Sequence, residues 1–206
     1  MKRTLLALLA AFSISAHAAA PAPDELVKTT TATLQKDIGA NHVKYKANLP
    51  AFYKVVDDII VPHFDVPYIG KLVLARNWKT ASEEQRTHFQ VAFKNMLIRA
   101  YANALLDNYD TVDVQWQPLR MTPETTDVTV NSTLNRKVGQ PIHIGFLMHT
   151  VESDWKIYDI TIENVSLISN FRAQFASEIK KTSLDDVIKR METGEMAAAP
   201  VPAVKP

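Results

Sequence analysis

Near Thr111 the apolar residues of this 206-residue chain change period. Before that point they recur at steps of three and four. After it they alternate, over Thr111–Gln117, Asp127–Leu134, Ile142–Val151 and Trp155–Ile162. Helices followed by consecutive strands predict an α+β domain. Facing residues in an antiparallel pair keep a constant number sum, so the pairing can be worked out. A three-residue turn, Glu152 to Asp154, sets Met148 opposite Tyr158, Phe146 opposite Ile160 and Ile144 opposite Ile162. A turn from Arg136 to Gln140, containing Gly139, sets Leu134 against Ile142, Val130 against Phe146 and Val128 against Met148. A longer loop around Pro123 sets Trp116 against Val128 and Val114 against Val130. One residue of slip in any hairpin would bring polar side chains opposite these. The expectation is a four-stranded antiparallel meander, apolar on its even-numbered face, with a helical bundle packed on that face.

The odd face is polar, from Asp113 and Gln115 through Thr129 and Asn131 to His143, His149, Asp159 and Thr161. Leu147, Trp155 and Ile157 are its exceptions, a small patch for a helix edge or a partner. Among the helices, Asp24 caps one running to about Ile38, where Gly39 stops it. Asn48 caps a second, with Pro50 in its first turn, a stripe of Phe52, Val55, Val56, Ile59 and Ile60, and Pro62 ending it. A short helix near Val66–Arg76 carries Ile69, Leu72 and Val73. Ser82 and Gln85 make a capping box for the longest helix, whose stripe is Phe89, Phe93, Met96, Leu97, Ala100, Tyr101, Ala104 and Leu105. Beyond Ile162 a further helix aligns Ile168, Phe171, Phe175 and Ile179, and Ser183 caps a last one, Leu184 to about Met191.

The first residues have a different purpose. Lys2 and Arg3 precede the apolar run Leu5–Ile14, too short to span a bilayer, and Ala16-His17-Ala18 is a small-x-small cleavage site. Residues 1–18 therefore read as a secretory signal peptide, which places the mature protein outside the cytoplasm. Residues 19–192 form one domain, and residues 193–206, Ala/Pro-rich and without apolar period, a disordered tail. The chain has no cysteine, so packing alone holds an exported domain together, and thiol catalysis and thiolate metal sites are excluded. Of 23 basic and 22 acidic residues, the signal removes two basic ones. The remaining formal charge of −1 argues against a nucleic-acid partner, which would need a basic surplus.

Motifs for catalysis are absent: there is no GxSxG, HExxH, P-loop, GxGxxG or EF-hand pattern. His63 and Asp65 could form an acid/base dyad, but at a helix break they suit capping better. His143 and His149 share a strand face at about 20 Å, too far apart to chelate one metal. Glu84 and His88 lie one helical turn apart, and Asp57 and Asp58 point in different directions around their helix. Arg172, inside an apolar helix, suits a phosphate or a carboxylate, or a local pair with Glu178.

The segment FDVPYIGKLVLARNWKTASEEQRTHFQVAFKNMLIRAYANAL, with GFLMHTVESDWKIYDITIENVSLISNFRAQF after the strands, resembles the MlaC / toluene-tolerance family. The likeness runs from about Asp24 to Met191. The family usually has Gly where Ala75 and Asn164 stand, and an aromatic at Asn77. The resemblance implies a periplasmic phospholipid-binding component of an ABC lipid-transport system. Its fold would enclose an apolar lipid pocket, with bound phospholipid as ligand, no cofactor and no metal. Its partners would be an inner-membrane MCE-domain/ABC transporter complex and an outer-membrane lipoprotein–porin complex. The protein would be a monomer that maintains outer-membrane lipid asymmetry, not an enzyme. The expected pocket residues are Val114, Val130, Ile144, Phe146 and Met148 from the sheet, with Phe52, Val55, Leu72, Phe93, Leu97 and Tyr101 from the helices. Each of these suits ordinary core packing equally well.

Two other readings stay open. A pocketed α+β enzyme, isomerase- or dehydratase-like, would need an acid or base on the even face, where Tyr158 is the one titratable residue. A periplasmic interaction module would use the Leu147/Trp155/Ile157 patch and have a filled core.

Overall fold

Helix α1 (Pro23–Ala47) runs straight through Gly39, where the sequence pattern ends it. A helical Gly costs about 1 kcal/mol relative to Ala. Buried Val27, Leu34 and Ile38 before it and Tyr45 after it offset that cost. The structure is a computed structural model and describes residues 20–136 and 139–198, so the proposed signal peptide lies outside the described residues. Asn48 caps α2 (Leu49–Ile59) through its side-chain oxygen, as expected. After a tight turn at Val61–His63, Asp65 caps α3 (Val66–Leu74) by accepting from Tyr68 N–H at 3.0 Å. Short α4 (Arg76–Thr80) leads to α5 (Glu83–Asn108), whose Ser82/Gln85 capping box is formed in both directions.

The junction of α3 and α4 is strained. Ala75 sits at φ 49°, ψ −115°, a region that glycine enters freely and a Cβ resists. Asn164, at φ 62°, adopts the left-handed conformation that asparagine tolerates well. An exposed Ala75→Gly variant is expected to gain about 1 kcal/mol of stability. Thermal denaturation checks this, and a lower melting temperature would show that the strain is compensated locally.

Helix α5 changes partners along its length. Phe89, Phe93 and Met96 pack with α3, α6 (Leu167–Lys181) and α7 (Leu184–Glu192). Its last turns bury Ala102 and Leu106 against α1 and α2 instead. The single stripe expected through Ala100, Ala104 and Leu105 is therefore wrong: all three are exposed, because the second set of partners lies around the helix from the first. Ser183 caps α7 as expected. The tail predicted from Thr193 is not free at its start. Met196 is buried in the α5–α7 cluster, and its N–H donates to Arg190 O at 2.9 Å. Residues 199–206 lie outside the described residues.

The sheet is an antiparallel meander ordered β1 (Val112–Trp116), β2 (Asp127–Arg136), β3 (Ile142–Val151), β4 (Asp154–Ile162), β5 (Val165–Ser166). It confirms the α+β fold and adds a two-residue fifth strand. The β2–β3 register is the expected one, Val130 against Phe146 and Val128 against Met148. The β1–β2 register differs by four residues. Trp116 faces Ser132 and Val114 faces Leu134, not Val128 and Val130. An even shift keeps every side chain on its face, so alternation alone does not detect it.

The β3–β4 hairpin departs in a more consequential way. Its turn has two residues, Glu152 at φ 57° and Ser153, because Val151 already pairs with Asp154. That moves the pairing by one, and a bulge at Tyr158 restores it, with Phe146 opposite Ile160 and Ile144 opposite Ile162. Met148 consequently faces Ile157, not Tyr158. Ile157 is buried beside Val128, Val130 and Met148, with Trp155 packed against them. The odd-face patch of Leu147, Trp155 and Ile157 does not exist: the bulge turns two of its three members to the apolar side.

Candidate functional site

Strand β2 sets out the apolar face. Asp127, Thr129 and Asn131 are exposed while Val128, Val130 and Ser132 are buried, as a period of two requires. At one end this face is sealed. Val27 of α1 closes over Val128, Val130, Met148 and Ile157, with Leu26 beside it. Away from that seal the same face is half-buried: Val114, Trp116, Leu134, Ile142, Ile144, Phe146, Ile160 and Ile162 keep part of their surface accessible. The Trp116 and Phe146 rings lie 6.1 Å apart on it. Phe64, joined to the sheet by a parallel bridge to Ile157, touches both this cluster and the α3/α5/α6/α7 core.

The eleven expected pocket residues divide by burial and by cluster. Phe52, Phe93, Val130 and Met148 are at most 2% exposed. Phe52, with half-buried Val55 against it, belongs to the α1/α2/α5 cluster. Phe93, with half-buried Leu72 and Leu97, belongs to the α3/α5/α6/α7 cluster. Val130, Phe146 and Met148 meet in the sheet cluster. Tyr101, half-buried on α5, has its hydroxyl pKa pushed up by burial. Val114 and Ile144 lie on the half-buried part of the sheet face. Sequence reasoning missed Ile157, which only the bulge brings to this face, and Ser132, a lone polar residue in the even-numbered run.

Residues 28–193 match the family described as MlaC protein. The chain belongs to the MlaC family. It is 30% identical to the toluene tolerance protein ttg2D of Pseudomonas putida, over 97% of this chain and 92% of that one. It is 25% identical to the intermembrane phospholipid transport system binding protein MlaC of Haemophilus influenzae, over 94% of this chain and 91% of the other. Among solved structures, it resembles a phospholipid-binding protein from Ralstonia solanacearum in complex with a phospholipid. The TM-score is 0.74 at 30% identity, covering 82% of this chain and 94% of that one.

In this MlaC-family chain the polar candidates are occupied by structural work. Asp65, besides capping α3, holds His149 at 2.9 Å, with both side chains largely buried. Tyr68 packs its ring on His149 and Tyr158 at 4.8 and 5.7 Å, tying the start of α3 to the sheet. His63 makes no dyad with Asp65; burial, then the charge of Lys156, lowers its pKa. Tyr158 donates to Asp127 at 3.1 Å, and burial together with that carboxylate pushes its pKa up to about 12. A hydroxyl so hard to ionise is a poor general base near neutral pH. Asp57 pairs with Lys94 and Asp58 with Lys54. Arg172 does not make the local pair with Glu178, which binds Lys181 and Arg190 instead; its Nε donates to Leu72 O at 3.0 Å, satisfying a free carbonyl at the C-terminal end of α3.

Glu84 and His88 line a polar groove of about 580 Å³ with Asp185 and Lys189, between the start of α5 and α7. Among the described residues no three His, Asp or Glu side chains are grouped to hold a metal ion. No described helix is long and apolar enough to cross a membrane.

Proposed function

We propose that this chain is a periplasmic carrier that holds phospholipid acyl chains against its even-numbered sheet face. The observation that carries the reading is the half-buried outer part of that face. Val114 and Ile144 keep part of their apolar surface accessible, and Trp116 and Phe146, which pack at the edge of the sealed cluster, are only half-buried. Apolar side chains left partly accessible on one sheet face are where an apolar ligand gains most by burial. The phospholipid held by the Ralstonia protein, whose fold this chain shares, supports the same reading.

Physics explains why a carrier needs such a face. Each exposed methylene costs about 0.8 kcal/mol, so a diacyl lipid with about 30 of them would cost on the order of 20 kcal/mol in water. Burying the chains in protein removes most of that cost. Small affinity differences between donor, carrier and acceptor then set the direction of transfer. In this proposal Val55, Leu72, Leu97, Tyr101, Val114, Ile144 and Phe146 form the wall, and Phe52, Phe93, Val130 and Met148 support it from the core. Export through the signal at residues 1–18 would deliver the carrier to the periplasm. There it would exchange lipid between the outer-membrane lipoprotein–porin complex and the inner-membrane MCE-domain/ABC transporter complex, maintaining outer-membrane asymmetry without catalysis.

The test is native mass spectrometry of protein purified from the periplasm without detergent, followed by lipid extraction. Added mass equal to one or two phospholipids is the expected result. A bare polypeptide mass, together with no uptake from phospholipid vesicles, would overturn the carrier reading.

A further inference from the structure

Ser132 interrupts the apolar face. Register places it between Trp116 on β1 and Ile144 on β3, and the alternation of β2 turns its side chain to the side of Val128 and Val130. The residue is 1% exposed. Its Oγ is the sole buried side-chain polar atom without a hydrogen-bond partner among the described residues. Buried hydroxyls are nearly always paired, because an orphan loses its water and gains nothing in return.

The surroundings of Ser132 point to a partner outside the chain. A bridging water needs two to four polar contacts. The flanking Trp116, Val130, Leu134 and Ile144 side chains on this face are apolar apart from an indole N–H, and the β2 backbone here is paired with strands on both sides. Position adds a second argument. Val128 and Val130 on one side are sealed in the core, while Leu134, Val114 and Ile142 on the other are half-buried. Ser132 therefore marks the step from the sealed to the accessible half of the face. A diacyl lipid lying on such a face brings one kind of acceptor with its chains into apolar surroundings: the ester carbonyls where the chains begin.

We propose that the Ser132 hydroxyl donates a hydrogen bond to an ester carbonyl oxygen of the bound diacyl lipid. Ser132 is then a specificity residue that distinguishes acyl from alkyl chains. The inference rests on the carrier reading above.

The experiment compares uptake of diacyl phosphatidylglycerol and its dialkyl-ether counterpart, with equal chains and the same headgroup, from vesicles into lipid-free protein. Ether lipids keep the hydrocarbon and lose the carbonyl acceptor. The wild type is expected to prefer the ester lipid by about three- to tenfold, the range of one net hydrogen bond. Ser132→Ala is expected to bind both lipids as the wild type binds the ether form, and Ser132→Thr, which keeps a hydroxyl, to retain the preference. Lipid-free Ser132→Ala is expected to melt no lower than the wild type, since it loses an unpaired polar group. Equal uptake of ester and ether lipids by the wild type, or an undiminished preference in Ser132→Ala, would overturn the proposal and leave the carrier reading standing. Uptake of neither lipid by the wild type would bring down the carrier reading itself.

Discussion

A Phe175→Ala variant is expected to lose about 3–5 kcal/mol of folding stability, the usual cost of emptying a fully packed aromatic site. Phe175 is 0% exposed. Its ring lies edge-on to Phe89 and Phe93 at 5.2 and 5.6 Å, and Phe93 is edge-on to Phe171 at 5.1 Å. These four rings join α5 to α6, so truncation removes transfer free energy and edge-to-face contacts together, and leaves a cavity that the two helices can only partly close. Domains are stable by about 5–15 kcal/mol, so the loss is a large fraction of the whole. Urea denaturation measures it as a lower midpoint at an unchanged slope. A loss below about 1 kcal/mol would show that the helices repack freely around the gap.

Phe146→Glu is expected to separate binding from folding. Phe146 lies opposite Val130 and Ile160 and near the Trp116 ring, on the half-buried part of the sheet face. Without lipid, a carboxylate there reaches water and the fold survives. With an acyl chain laid across it, the same carboxylate would have to be buried unpaired or protonated, at a cost of several kcal/mol. At about 1.4 kcal/mol per tenfold, affinity for phospholipid should fall by at least about 100-fold. Native mass spectrometry of the variant purified without detergent should then find a bare chain with wild-type circular dichroism. Lipid content equal to the wild type's in that folded variant would remove Phe146 from the wall.

How far the sequence could be read depended on the kind of interaction. Local signals carried through at three helices: Asn48, Ser82 and Ser183 cap the helices that their spacing announces, because capping bonds join residues three apart. Asp24, by contrast, does not cap α1, which starts at Pro23 and leaves Asp24 in its first turn, paired with Lys28. Gly39 misled, since a single residue's propensity is small beside the burial of the helix on either side. The α5 stripe misled beyond Leu97 because its pattern merges two contact faces with different partners. The candidate site was legible as a face and not as a pocket. Core and wall residues are equally apolar, so composition does not separate Met148 at 0% exposure from half-buried Phe146.

By itself the sequence determined the α+β order of elements and which side of β2 and β3 is apolar, since side-chain alternation is a strict property of regular extended backbone. Tertiary structure alone decided the four-residue shift of β1 and the bulge at Tyr158 that moves Ile157 inward. It also decided that α1 closes over Val128 and Val130, and that the Ser132 hydroxyl is buried without a partner. Alternation is blind to even shifts, and one inserted residue reverses it from that point on. Closure of one element over another depends on long-range packing that no local pattern encodes.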